Sequence, residues 1–118
     1  MKDSQVRENG RVPKYAALHE PLPSGARKAA DVFGANVMRG AIIRTLASHP
    51  KGLTSGQIER ELDASYQTVF RHLKSLVAEG VVLVDDEVNQ GRRTIYTLDR
   101  SAIEKALADY RRYLLQAA

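Results

Sequence analysis

Gln67, Arg71 and Lys74 stand four and three residues apart in the stretch Ser65-Tyr66-Gln67-Thr68-Val69-Phe70-Arg71-His72-Leu73-Lys74-Ser75-Leu76. At about 3.6 residues per turn, that spacing puts all three on one face of a helix. Their chemistry suits flat polar edges. The Arg71 guanidinium can donate to two acceptors at once, the Gln67 amide offers a donor beside an acceptor, and Lys74 adds a point charge. Val69, Leu73, Leu76 and Val77 fall on the opposite side as an apolar stripe. Ser65 stands where an N-cap hydroxyl would, and Thr68 follows one turn before Arg71 and His72. Tyr66 and Phe70, one turn apart, set two aromatic rings beside the polar face. A second cationic group, Arg92-Arg93, closes the polar run that begins at Asp85-Asp86-Glu87.

The surrounding sequence supplies elements to hold these groups. From Ala29 to His49 the pattern is helical, with Phe33, Val37, Ala41 or Ile42, and Leu46 recurring at three-to-four spacing. Pro50-Lys51-Gly52 stops that helix. Thr54 followed by Gln57 is a capping-box spacing, and Ile58 and Leu62 give the short helix behind it an inner side. Asp63-Ala64-Ser65 is the break before the helix of residues 65–79, and Gly80 fits the position past its end. The period then changes to two: Val82 and Val84, then Thr94, Tyr96 and Leu98, read as two strands around a polar hairpin tip. Asp99 or Ser101 opens a last helix whose apolar stripe is Ile103, Leu107, Tyr110 and Leu114, with Ala106 along it and Tyr113 beside it.

Helix, short strand, two helices across a tight turn, hairpin and final helix is the order of a winged helix-turn-helix. The expected fold is mainly α with a small β-hairpin, and the last helix is a dimerisation helix. The major groove of duplex DNA is about 12 Å wide and admits one helix, here residues 65–79. The hairpin tip then touches the backbone or the adjacent minor groove. Gly52 to Leu62 resembles the second helix of ArsR-type regulators, and Ser65 to Leu76, with its Ser-x-x-Thr-Val-x-Arg-His-Leu core, resembles their recognition helix. Glu79-Gly80-Val81-Val82 is similar to their turn into the wing, and Gly91 to Leu98 to the wing's return strand. Phe33-Gly34 through Leu46 resembles their first core helix, with Asn36 where proline is frequent. MarR-like and other winged-helix families share much of this pattern. The resemblance implies a dimeric, DNA-binding transcriptional regulator, a repressor in the commonest case.

On that reading Arg71 reads guanine O6 and N7, Gln67 reads adenine N6 and N7, and Lys74 shares their DNA-facing surface. Ser65 and Thr68 touch phosphate, or Thr68 a thymine methyl, while Tyr66 and Phe70 pack on thymine methyls or sugars. Arg92 and Arg93 take the wing contact. Simpler readings stay open: Arg71 as a solvated charge, Phe70 as core if the helix phase is shifted, the two wing arginines as solubilising charge. His72 follows the inner stripe and reads as a packed, hydrogen-bonded histidine.

Composition bounds the function. The chain has 118 residues, no cysteine and a formal net charge of +4. Residues 1–28 hold six Lys/Arg against three Asp/Glu, residues 29–98 eight of each, and residues 99–118 four against three. The basic excess thus sits in residues 1–28, a proline-bearing N-terminal arm whose order the sequence leaves open; residues 29–98 form the winged-helix domain and 99–118 the C-terminal helix. Without cysteine there is no disulfide, thiolate cage or thiol switch. His19, His49 and His72 are scattered, and Glu104 and Asp109 make no credible cage, so metal sensing is not expected. Nothing matches a Ser-His-Asp set or a P-loop, and no cofactor or enzyme activity is expected. No apolar run reaches the about 20 residues of a membrane span, and no leader pattern opens the chain, so a cytoplasmic, nucleoid-associated protein is expected. The expected partners are double-stranded DNA with an inverted repeat and a second copy of the chain; the sequence names no effector. Two alternatives share the fold: an accessory factor of a mobile element, and a winged helix used for protein contacts alone.

Overall fold

A computed structural model of the chain describes residues 22–85 and 94–116. Residues 1–21, 86–93 and 117–118 lie outside that description, and with them Arg92, Arg93 and the first 21 of the 28 residues of the expected arm. Among the described residues, five helices and a two-stranded sheet form in the order α1 (Ser24–Phe33), α2 (Val37–Ala47), α3 (Ser55–Leu62), α4 (Tyr66–Ala78), β1 (Val82–Asp85), β2 (Ile95–Leu98) and α5 (Arg100–Leu115).

The single helix expected from Ala29 to His49 is two helices. Gly34 adopts left-handed geometry (φ 65°, ψ 31°), and the amides of Gly34 and Ala35 close back on the Asp31 and Ala30 carbonyls. Asn36 then starts α2, its side-chain oxygen accepting from the Arg39 amide at 2.9 Å. The pair of caps overrides an apolar period that runs through both segments. The division drawn between residues 28 and 29 consequently falls inside α1. Phe33, expected in the core, belongs to α1 and is half exposed.

The core is built by α2, α3, α4 and the wing. Ile42, Leu46, Ile58, Leu62, Val69, Leu73, Leu76 and Val82 are buried against one another, with Leu53 among them. Burial of each such side chain contributes about 1.5–3 kcal/mol. The Thr54–Gln57 capping box forms in both directions: Thr54 Oγ1 accepts from the Gln57 amide at 3.1 Å, and Gln57 Oε1 accepts from the Thr54 amide at 2.9 Å. Asp63 turns the chain in left-handed geometry (φ 54°), and Ser65 caps α4 through the Thr68 amide at 3.2 Å.

β1 and β2 pair antiparallel with Val82 opposite Leu98 and Asp85 opposite Ile95. The segment before α3 adds one isolated antiparallel bridge to β2. Leu53 and Tyr96 exchange both backbone hydrogen bonds, at 3.0 and 2.8 Å. Gly52 makes this approach possible. Its φ is +94°, and a Cβ there would stand 2.8 Å from the Tyr96 carbonyl oxygen and within 2.7 Å of the Ile95 and Thr97 side chains.

Of the two possible caps of α5, Asp99 is the one used, accepting from the Ala102 amide at 3.1 Å and from the Ser101 hydroxyl at 2.8 Å. No residue of α5 or α1 is buried.

Candidate nucleic-acid interface

The two sides of α4 have opposite fates. Val69, His72, Leu73 and Leu76 are buried, while Tyr66, Gln67, Phe70, Arg71 and Lys74 are exposed. Ser65 is exposed and Thr68 half-buried, their hydroxyls 3.0 Å apart. Seven of the nine expected DNA-binding residues therefore lie on one capped helix, on or beside its outward face. The other two, Arg92 and Arg93, lie outside the described residues. Phe70 is not core: it stacks on Tyr66 with ring centroids 5.4 Å apart.

The orientation of α4 is held from behind by a residue that the sequence reading passed over. Arg39 of α2 donates to Ser75 Oγ at 3.0 Å and, more weakly, to His72 Nδ1 at 3.5 Å. One guanidinium thus joins the first core helix to the back of the outward-facing helix. Arginine stays protonated, so Nδ1 of His72 accepts and the ring is neutral. His72 is 7% exposed. Burial, with the Arg71 and Arg39 charges next in size, holds its pKa below the ordinary histidine value. The available signal for Arg39 was that it is the one charge in Val37-Met38-Arg39-Gly40-Ala41-Ile42-Ile43.

Away from α4, α1 and α5 share an exposed apolar surface. Leu107 is 62% and Tyr110 48% exposed, Leu114 is exposed as well, and Ile103 is half-buried. Phe33 meets Tyr110 edge-on at 5.8 Å, and Tyr110 stacks on Tyr113 at 6.4 Å. The stripe does not fold back to bury itself on its own domain. Between α1 and the α2–α3 body lies a cleft of about 1000 Å³, lined by Phe33, Val37 and Leu62 with Arg44, His49 and Arg60 as its basic groups. Among the described residues, no cluster of histidines and carboxylates is arranged to hold a metal, and no helix is long and apolar enough to cross a membrane.

The fold recurs in solved DNA-binding proteins. A Staphylococcus aureus MepR–DNA complex superposes with a TM-score of 0.56 at 22% identity, covering 77% of this chain and 76% of that one. A MarR family transcriptional regulator from Silicibacter pomeroyi gives 0.54 at 19% identity, over 80% and 67% of the two chains. Lactococcus lactis ZitR in complex with DNA gives 0.50 at 18% identity, over 92% and 73%. No curated protein is significantly similar to the chain in sequence. At these identities the structures establish the fold. The family itself comes from the sequence model, and it is not the ArsR type that the α4 residues resemble. Those residues sit in the helix-turn-helix and wing that the related families share, so they cannot separate one family from the other. Residues 33–93, just over half of the chain and spanning α2, α3, α4 and β1, match the MarR family, and the chain belongs to that family of winged-helix DNA-binding regulators.

Proposed function

We propose that the protein is a sequence-specific transcriptional regulator that binds duplex DNA as a homodimer and represses from an inverted-repeat operator. The observation that carries this reading is the exposed Gln67–Arg71–Lys74 stripe on α4, whose opposite stripe is locked in the core and tied to α2 through Arg39. Laid in the major groove, that stripe meets base edges: Arg71 on guanine, Gln67 on adenine, with Lys74, Ser65 and Thr68 on phosphates. Arg92 and Arg93 take the backbone or the minor groove from the wing. Membership of the MarR family favours regulation over an accessory role in recombination or a role in protein contacts alone.

Dimerisation supplies what one copy lacks. The stripe of Ile103, Leu107, Tyr110 and Leu114, with Phe33 beside it, is an apolar face that a monomer leaves in water. Paired across a two-fold axis, it presents two α4 helices to half-sites about one helical turn apart. A regulator of this kind works on cytoplasmic, nucleoid DNA.

The test is selection from a random duplex library by the purified full chain at about physiological salt. An enriched inverted repeat is the expected result. Binding without enrichment points to an architectural or accessory role. No binding points to protein contacts as the function of the fold.

A further inference from the structure

The polar stripe of α4 does not account for the aromatic pair beside it. Tyr66 and Phe70 are 54% and 40% exposed, and their rings lie 5.4 Å apart with planes 19° from parallel. They stack on each other rather than on the core, whose α4 members are Val69, Leu73 and Leu76. Two adjacent aromatic rings held in water on a capped, well-anchored helix gain little for the fold.

In the groove those rings have a specific counterpart. Base edges in the major groove present donors and acceptors, with one apolar feature among the four bases, the C5 methyl of thymine. An aromatic face over guanine, adenine or cytosine edges would strip water from polar atoms and return no hydrogen bond. Over a thymine methyl it buries apolar surface on both sides. The spacing also fits. Four residues of helix rise about 6 Å, close to two base-pair steps of about 3.4 Å each. Each ring is next in sequence to a polar reader, Tyr66 to Gln67 and Phe70 to Arg71.

We propose that Tyr66 and Phe70 form a two-ring apolar surface covering the C5 methyl groups of two thymines that lie two base-pair steps apart in each half-site. The proposal rests on the DNA-binding reading above and adds to it: Gln67 and Arg71 read hydrogen-bonding edges, and the rings require methyls next to them.

The test replaces thymine by deoxyuridine, one position at a time, in the selected operator. This removes the methyl and leaves every hydrogen-bonding edge and phosphate in place. Affinities are measured for the wild-type chain and for Tyr66→Ala and Phe70→Ala. Each of two positions lying two steps apart should lose about fourfold in wild-type affinity, the worth of one buried carbon group. In the corresponding variant that loss should vanish. Equal wild-type affinity for thymine and deoxyuridine operators overturns the proposal while the DNA-binding reading stands. A deoxyuridine loss that persists in both variants also overturns it, since another residue then reads the methyl. Failure to select any preferred duplex overturns the reading beneath it and the proposal with it. The wild-type comparison needs no variant to fold.

Discussion

Replacing Gly52 by alanine tests the joint between the wing and the helix-turn-helix. The residue sits at φ +94°, where an L side chain carries a backbone cost of about 1–3 kcal/mol. The added methyl would also stand 2.8 Å from the Tyr96 carbonyl oxygen, and 2.6 and 2.7 Å from Cγ2 of Ile95 and Thr97. Two of these neighbours are β-branched side chains with stiff χ1 and the third is backbone, so none gives way cheaply. Overpacking of this kind costs about 1–3 kcal/mol. Together the terms come to about 2–6 kcal/mol, against a total stability of about 5–15 kcal/mol for a domain. Relief by backbone movement would break the reciprocal Leu53–Tyr96 hydrogen bonds that hold β2 to the body. Gly80 is the internal control: its φ is +82°, yet nothing lies within 4 Å of its would-be Cβ. Gly80→Ala should therefore cost the backbone term alone. Urea unfolding followed by circular dichroism, at one fixed protein concentration because the proposed dimer would add to stability, gives both values. If Gly52→Ala loses no more than Gly80→Ala, the close approach of β2 to Gly52 is wrong.

Thr54→Ala should remove the hydroxyl half of the capping box, in which Thr54 Oγ1 accepts from the Gln57 amide, while the residue-54 amide still reaches Gln57 Oε1, and should cost about 1 kcal/mol in the same unfolding experiment. Arg39→Ala should loosen α4 from α2 and lower operator affinity by about tenfold in fluorescence anisotropy, although Arg39 touches no DNA in the proposed pose; lysine should not restore it, because the two bonds leave different guanidinium nitrogens. His72 has a folded-state pKa below its unfolded value near 6.5, so the folded chain binds fewer protons than the unfolded one in the window just below that value. Its contribution to stability is complete above about pH 6.5 and lost as pH falls through the folded pKa, and thermal melts of His72→Gln should show a shallower acid limb than the wild type. Leu107→Glu should place a charge in the apolar stripe of α5, and sedimentation should then show a monomer that retains its helical spectrum.

Much of the fold was legible because its boundaries are written in side chains that cap helices locally. Thr54 with Gln57, Ser65 before α4 and Asp99 before α5 each announce a helix start by a hydrogen bond spanning about three residues, and all three form. The α1–α2 break was misread for the complementary reason. Gly34 and Asn36 carry the signal, but an apolar period running from Phe33 to Leu46 masks it. Periodicity reports which residues share a face and does not report whether the chain turns between them. Phe33 shows the consequence, since it keeps the helical phase of the core and yet packs on Tyr110 of another helix.

The site divides along the same line. The outward face of α4 could be read from spacing alone, because once Val69, Leu73 and Leu76 are inside, Gln67, Arg71 and Lys74 have only one place to go. The contact that aims this face could not, since Arg39 lies 36 residues from Ser75 and 33 from His72. A lone arginine on a helix carries no local mark of its partner. The balanced charge of residues 29–98 follows the same logic, because net charge adds positions that the fold separates. Arg71 and Lys74 stand on the outward face of α4, while Asp31 lies on α1 and Glu59 and Glu61 on α3. A domain neutral in sum can thus offer cations to a duplex on the face that matters, and the phosphates respond to that face rather than to the total.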